Sequence, residues 1–147
     1  LYQSKTQDHG LDGALDHKLI RFARPILECE SKDDVRPLRM ETEIKNTNRT
    51  VGTILSSALT RKFKLGMYTG SLPEDTIWID AKGAAGQSLG AFMIQGVSIK
   101  VTGEANDYCG KGLSGGKIVV VPPPDLPAGF VPEENIIVGN VTLFGAT

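Results

Sequence analysis

The glycines between residues 83 and 121 recur at a fixed spacing of 20 residues. Short runs of alternating apolar residues share this register, so that residues 77–81 align with residues 97–101. Self-similarity at a fixed period is the sequence signature of a repeat fold, in which each unit packs against its neighbours. Three glycine pairs obey the spacing: Gly83 and Gly103, Gly90 and Gly110, and Gly96 and Gly116.

Each 20-residue unit contains one strand of about five residues, and the rest is rich in glycine without the apolar spacing of a helix. We therefore expect one turn of a β-helix per unit, with equivalent strands stacked in parallel about 4.8 Å apart. The residues predicted to point inward are Ile77, Ile79, Ala81, Val97, Ile99, Val101, Val119 and Val121. Those predicted to point outward are Trp78, Asp80, Ser98, Lys100, Ile118 and Val120, with Asp80 beside Lys100.

Two outward positions on the third strand, Ile118 and Val120, are apolar and β-branched. A solvated face rarely carries such a pair, so we expect it to be covered. The proline-rich segment 122–134 is long enough to fold over it, and a neighbouring domain would also serve.

The chain before the repeats predicts helices and a strand. A helix is expected over residues 11–30, capped by Asp12 or Asp16 and broken after Ala23 by Pro25. Residues 38–45 alternate as a strand, with Leu38, Met40, Thr42 and Ile44 on one side. A second helix follows Asn48, which stands where an N-cap is expected, and ends near Gly66.

This pattern divides the chain into three parts: residues 1–10 as a tail or linker, residues 11–75 as a lead-in of helices and strand, and residues 76–147 as the first coils of an incomplete β-helix. Residues 135–143 are strand-like, with Val141 and Leu143 predicted to point inward. We expect the β-helix to be truncated at its C-terminal end and to self-associate through that end, because an uncapped coil exposes unpaired backbone groups.

Composition limits the partners and the compartment. The formal net charge of −1 argues against nucleic acid or an anionic membrane surface as an electrostatic partner. There is no apolar run of membrane-spanning length, and the first ten residues do not resemble a signal peptide. Cys29 and Cys109 are far apart and are interpreted as reduced thiols, which favours an intracellular protein of the cytoplasm or a plastid.

Residues 110–115 satisfy the dinucleotide pattern GxGxxG, but the segment after them, residues 117–121, reads as a strand rather than the helix that a pyrophosphate site requires. Gly115-Gly116-Lys117 lacks the Ser or Thr of a phosphate loop. Glu104, Asn106 and Asp107 could bind a cation or perform acid–base chemistry, although such residues in a tight turn more often bond their own backbone. We therefore predict no catalytic, cofactor-binding or metal site in this chain.

Four stretches closely resemble the C-terminal GXGXG-motif domain of the glutamate synthase large subunit. They are residues 46–56 (NTNRTVGTILS), 86–92 (GQSLGAF), 103–116 (GEANDYCGKGLSGG) and 135–147 (NIIVGNVTLFGAT). Residues 15–20 resemble the lead-in to that domain. The sequence departs from the family at Cys109, where valine is expected, and at Ala84, where serine is expected.

The resemblance implies a right-handed parallel β-helix with an N-terminal helical lead-in. It implies a parent enzyme of ammonia assimilation that converts glutamine and 2-oxoglutarate to two glutamates. That parent would use FMN, a 3Fe-4S cluster and either NAD(P)H or ferredoxin, with FAD in a partner region. This domain would be an inactive scaffold that packs between the amidotransferase and FMN/iron–sulfur domains of the same polypeptide.

Two alternatives remain at this point. One is a tethering β-helix subunit like that of formylmethanofuran dehydrogenase, which has similar glycine-rich coils but lacks the segment resembling residues 46–56. The other is an autonomous β-helix enzyme acting on carbohydrate. Such enzymes place acidic residues along an exposed face, whereas Asp80 is the one acidic residue among the predicted outward positions.

Overall fold

The computed structural model describes residues 2–65 and 70–147. The three helices in these residues are α1 (Asp16–Phe22), α2 (Arg24–Leu27) and α3 (Thr53–Phe63). The four strands are β1 (Leu38–Ile44), β2 (Ile77–Ala85), β3 (Val97–Ala105) and β4 (Lys117–Val121). Short 3-10 turns occupy Leu11–Gly13, Lys32–Asp34 and Pro132–Glu134. None of the helices described is long and apolar enough to cross a membrane.

The four strands form one sheet in the order β1-β2-β3-β4, and all neighbouring pairs are parallel. Ile79 lies between Met40 and Ile99, and Asp80 lies between Glu41 and Lys100. The spacing of 20 residues is thus confirmed for β2 and β3, including the predicted pairing of Asp80 with Lys100. The inward positions Ile77, Ile79, Ala81, Val97, Ile99 and Val101 are all buried.

The prediction of a β-helix is wrong. The described strands form a single small parallel sheet combined with helices, an α/β-type arrangement. Each repeat unit contributes one strand followed by turns, so it has no further strand from which to build a second sheet. Helical residues such as Leu19, Leu55 and Leu59 instead join the buried residues of the sheet in one hydrophobic core, as layered folds require.

The register of the last strand also differs from the prediction. Ile99 pairs with Ile118, 19 residues later, rather than with Val119. The slip lies just before β4, because three residues separate Ile94 from Ser98 whereas two separate Ser114 from Lys117. A one-residue slip exchanges the faces of a strand.

As a consequence of this slip, Ile118 and Val120 pack against the core. Val119 pairs with Lys100 on the outer face, and Val121 pairs with Thr102 there. The prediction of Val119 and Val121 as inward residues, with Ile118 and Val120 outward, is therefore wrong. Ile118 and Val120 are covered by the core rather than by a segment folded over the outer face.

The helical part follows the sequence in outline. α1 ends at Phe22 and α2 begins at Arg24, with Pro25 in its first turn, so the predicted break near Ala23 is confirmed. Asn48 is not the cap of α3, because its Oδ1 accepts a hydrogen bond from the Lys45 backbone N–H at 2.8 Å. Gly52 occupies the N-cap position without a side-chain cap. The predicted helix end at Gly66 lies outside the described residues.

The prediction of a strand over residues 135–143 is wrong as well. This segment makes one isolated bridge, between Val138 and Ala105. Val141 and Leu143, predicted to point inward, are 47% and 56% exposed. Both have positive φ, which is incompatible with an extended strand.

Candidate functional site

The glycine-rich segments form four stacked loops, residues 48–52, 86–92, 106–112 and 139–145. In each loop, alternate residues have a left-handed backbone, a conformation that is rare outside glycine. These positions are Thr50 and Gly52; Ser88, Gly90 and Phe92; Tyr108, Gly110 and Gly112; and Val141, Leu143 and Gly145. The repeated motif therefore encodes a repeated backbone conformation.

Backbone hydrogen bonds join each stacked loop to the next in an alternating pattern. Between the second and third loops, Ser88 N–H donates to Asp107 O, Gly110 N–H to Leu89 O, and Phe92 N–H to Lys111 O, at 2.8–2.9 Å. The third and fourth loops repeat it with Tyr108 N–H to Asn140 O, Leu143 N–H to Cys109 O, and Gly112 N–H to Phe144 O. Every second residue in a loop thus bonds a neighbouring loop.

The GxGxxG pattern at residues 110–115 lies inside this stack. The backbone N–H groups of residues 110–114 all donate to carbonyl oxygens of the protein itself: Leu89, Tyr108, Phe144, Gly110 and Met93, in sequence order. A phosphate loop needs such donors free to face the ligand, with a helix N-terminus behind them. Here the donors are occupied and the strand β4 follows.

Asp16 is the most buried acidic side chain described, with 2% exposure. Its carboxylate accepts hydrogen bonds from the Gly52 N–H at 2.9 Å and the Leu55 N–H at 2.9 Å. The second bond satisfies a donor in the first turn of α3, whose own N-cap residue has no side chain. Burial raises the pKa of Asp16 and outweighs the opposing effect of these backbone bonds.

The bond from Gly52 also completes the loop stack. In the following loops, Gly90 N–H donates to Val51 O and Gly110 N–H donates to Leu89 O, each one loop back. Gly52 holds the equivalent position in the first loop. The Asp16 carboxylate therefore takes the place of the carbonyl that a preceding loop would supply.

The capping prediction for Asp16 names the wrong helix. Asp16 is predicted to cap the helix that contains it, whereas it accepts a hydrogen bond from Leu55 in the first turn of α3, 39 residues further along the chain. A signal was present, because no Ser, Thr, Asp or Asn directly precedes Thr53. A buried helix start without a local cap requires an acceptor from elsewhere.

A polar cluster on the outer face of the sheet centres on Asp75, which has a left-handed backbone. Its carboxylate accepts hydrogen bonds from Ser98 Oγ at 2.6 Å and from Lys117 Nζ at 2.9 Å. The bond from Ser98, followed by that from Lys117, lowers the pKa of Asp75, while the bond to Asp75 raises the pKa of Lys117. Lys117 therefore stays protonated and cannot activate Ser98 as a base.

Arg39 and Trp78 continue this outer face. Arg39 Nε lies 2.7 Å from Asp80 Oδ2, and the Arg39 guanidinium lies 5.5 Å from the centre of the Trp78 ring. Burial acts to raise the pKa of Asp80, but the Arg39 hydrogen bond and the nearby positive charges prevail and lower it. Lys117 Nζ lies 5.9 Å from the same ring, so two cations flank one indole.

The remaining candidate residues are dispersed. Asp107 Oδ1 accepts from the Asn140 N–H at 2.8 Å, so it links two stacked loops instead of closing its own turn. Glu104 and Asn106 are exposed. Burial raises the pKa of Cys109, which keeps its thiol protonated. Within residues 2–65 and 70–147, no three His, Cys, Asp or Glu side chains are grouped to hold a metal ion.

These features define a class of protein: an α/β module with a parallel sheet whose strands lead into stacked, glycine-rich, left-handed loops. Residues 16–147 match the GXGXG motif family, and the chain belongs to that family. The resemblance noted in the sequence is thereby confirmed.

Its curated relatives are glutamate synthases. The chain is 44% identical over 146 residues to glutamate synthase (NADH) of Schizosaccharomyces pombe, which covers 99% of this chain and 6% of the relative. It is 46% identical over 133 residues to the glutamate synthase (NADPH) large chain of Azospirillum brasilense, covering 90% and 8%. A chloroplastic ferredoxin-dependent glutamate synthase of Oryza sativa is 36% identical over 146 residues. The chain spans less than a tenth of the length of these relatives.

Proposed function

We propose that this chain is a structural, non-catalytic domain of a glutamate synthase polypeptide. The observation that carries the proposal is the use of the glycine motif. The N–H groups of residues 110–114 donate to carbonyl oxygens of the same or a neighbouring loop, so these residues of the family pattern use their donors to build the fold instead of facing a ligand.

The chemistry of the parent would then reside elsewhere. We propose that a polypeptide containing this domain converts glutamine and 2-oxoglutarate to two glutamates, with FMN and an iron–sulfur cluster held by other domains. The domain would pack between those catalytic domains, in the cytoplasm or a plastid. Its relatives carry names with NADH, NADPH and ferredoxin alike, so the resemblance does not favour one electron donor.

A flavin titration tests the non-catalytic role. The purified chain is titrated with FMN while flavin fluorescence is followed, and glutamine hydrolysis is assayed in the same preparation. We expect neither saturable binding at micromolar FMN nor ammonia release. Saturable binding that is weakened by Lys111→Ala, beside the glycine motif, would overturn the proposal.

The parent enzyme provides a second test. In a full-length glutamate synthase carrying this sequence, Gly103→Val should reduce the yield of folded enzyme, because a side chain there would overlap the Gly83 carbonyl oxygen. Lys111→Ala in the same motif should leave kcat per folded molecule unchanged. A large fall in kcat for Lys111→Ala, with normal folding, would instead indicate a direct role in the reaction.

We also propose self-association through the outer side of the fourth stacked loop. Three large apolar side chains are exposed there, Val141 at 47%, Leu143 at 56% and Phe144 at 62%. Burying them together would remove apolar surface from water. Sedimentation analysis should show a concentration-dependent mass that Phe144→Ser reduces, and a constant monomer mass at high concentration would refute it.

A further inference from the structure

A cavity of about 810 Å³ lies on the outer face of the sheet, at the end where β4 runs into the proline-rich segment. The stacked loops and the Asp75 cluster do not contribute to it. Its lining consists of Lys82, Gly83, Lys100, Thr102, Val121, Pro122, Pro123, Pro124 and Asp125. A volume of this size is in the range of small-molecule sites in proteins.

The two sides of the cavity differ in chemistry. Val121 and the prolines at 122–124 form an apolar wall, and proline has no backbone N–H to offer. The sheet side is lined by Lys82, Lys100 and Thr102, whose side chains carry two ammonium groups and a hydroxyl. A molecule with an apolar body and an anionic group would match both sides at once.

The positions of the two lysines follow from the strand register. Lys82 pairs with Thr102, and Lys100 lies two residues before Thr102 on the same face of β3. Diagonal neighbours of this kind are about 7–8 Å apart, within reach of long side chains. Both ammonium groups can therefore approach one anion.

Neither lysine forms a strong ion pair with a carboxylate among the described residues. Lys82 Nζ is 3.3 Å from Glu41 Oε2, and both side chains are largely exposed, so this pair is weak. Lys100 lies opposite Asp80, but the Asp80 carboxylate is already bonded by Arg39 at 2.7 Å. Lys100 is thus the better placed of the two to bind a ligand.

Gly83 also lines the cavity. A Cβ at this position would overlap the backbone carbonyl of Ile44 on β1, so this part of the lining requires glycine. Asp125 is the one acidic residue of the lining, and it belongs to the proline-rich segment rather than to the strands that carry the lysines. A second negative charge on the ligand near Asp125 would be repelled, which favours a single anionic group.

We propose that this cavity is a binding site for a small organic anion with an apolar body and one carboxylate or sulfonate group, held by Lys100 and Lys82 against the proline wall. The site is independent of the proposed scaffold role. A non-catalytic domain can bind such a ligand, so an experiment that refutes one of the two proposals does not refute the other.

The test uses naphthalene-2-sulfonate as the probe, with inorganic sulfate and the neutral 2-naphthalenemethanol as partial probes. Binding is followed by amide chemical shifts in the 147-residue chain. We expect saturable shifts at Lys82, Lys100 and Thr102 for the sulfonate, with an affinity at least tenfold above that of either partial probe. Sulfate has the anionic group without the apolar body, and the naphthalene alcohol has the apolar body without the charge.

Lys100→Met keeps the length of the side chain and removes its charge, and Lys111→Met is the matched control on a distant loop. We expect Lys100→Met to weaken sulfonate binding about tenfold and Lys111→Met to leave it unchanged. The amide spectrum of each variant establishes that it is folded. Equal binding by both variants, equal binding of the sulfonate and neutral probes, or no saturable shifts at these three residues would each overturn the proposal.

Discussion

The Asp16 carboxylate lies 2.9 Å from the backbone nitrogen of Gly52, and this contact joins α1 to the first stacked loop. The same side chain accepts from Leu55 in the first turn of α3. A buried carboxylate is costly unless it is hydrogen-bonded, so its position depends on these donors. The Asp16 carboxylate thus supplies an acceptor both to the first turn of α3 and to the first stacked loop.

Replacing Asp16 with alanine should therefore destabilise the chain by about 2–4 kcal/mol, because two buried N–H groups lose their acceptor. Asp16→Asn keeps one carbonyl oxygen of similar shape and should lose less than half as much. Urea denaturation followed by circular dichroism measures both. If Asp16→Ala were as stable as the parent, the capping role would be refuted.

The same carboxylate predicts a pH dependence of definite sign. Its pKa in the folded chain is raised above the ordinary value of 3.8, so the folded state binds the proton more tightly than the unfolded state. The contribution of Asp16 to stability is fully present below pH 3.8 and decreases as the pH rises through the folded pKa. The difference in unfolding free energy between the parent and Asp16→Asn should follow this course, and a difference that rises with pH would contradict it.

Asp75 predicts the opposite slope. Its pKa is lowered by the Ser98 and Lys117 hydrogen bonds, so its contribution is present above pH 3.8 and is lost as the pH falls through the folded pKa. Asp75→Asn tolerates the left-handed backbone and should flatten the acid side of the stability profile. We expect a smaller stability loss than for Asp16→Ala, since the Asp75 and Lys117 side chains are 43% and 41% exposed and solvent screens their interaction. Lys117→Met should give a similar profile, and additive effects of the two substitutions would argue against their coupling.

The substitution Gly96→Val tests how much the close contact between the turn before β3 and the segment before β2 contributes to stability. Gly96 has φ +97°, and an added Cβ would lie 2.6 Å from Leu72 Cβ, which is fully buried. Gly96→Val should destabilise by about 3 kcal/mol or more, through strain and overlap together. Gly129 has a similar φ of +91° with nothing within 4 Å, so Gly129→Val isolates the strain alone. Equal melting temperatures for the two variants would show that the contact with Leu72 is unimportant.

Much of the local structure could be predicted because it depends on short-range patterns. Alternation located β1, β2 and β3 and identified their buried faces, and Pro25 located the break between α1 and α2. The 20-residue glycine spacing gave the pairing of β2 with β3. It also identified the turns, although not that alternate residues such as Phe92 and Tyr108 would share the left-handed backbone.

The sequence determined β1, β2 and β3, the glycine turns and the family, since these follow from neighbouring residues and a regular period. Only the tertiary structure decided the rest. The 19-residue step that turns Ile118 inward depends on how residues 115–116 close against residues 95–97. The helices, rather than further strands, complete the core, and Asp16 caps α3 through Leu55, 39 residues away. The β4 register, the helical part of the core and the Asp16 cap all depend on contacts between distant parts of the chain. Such contacts form only on folding, and a local sequence pattern does not specify them.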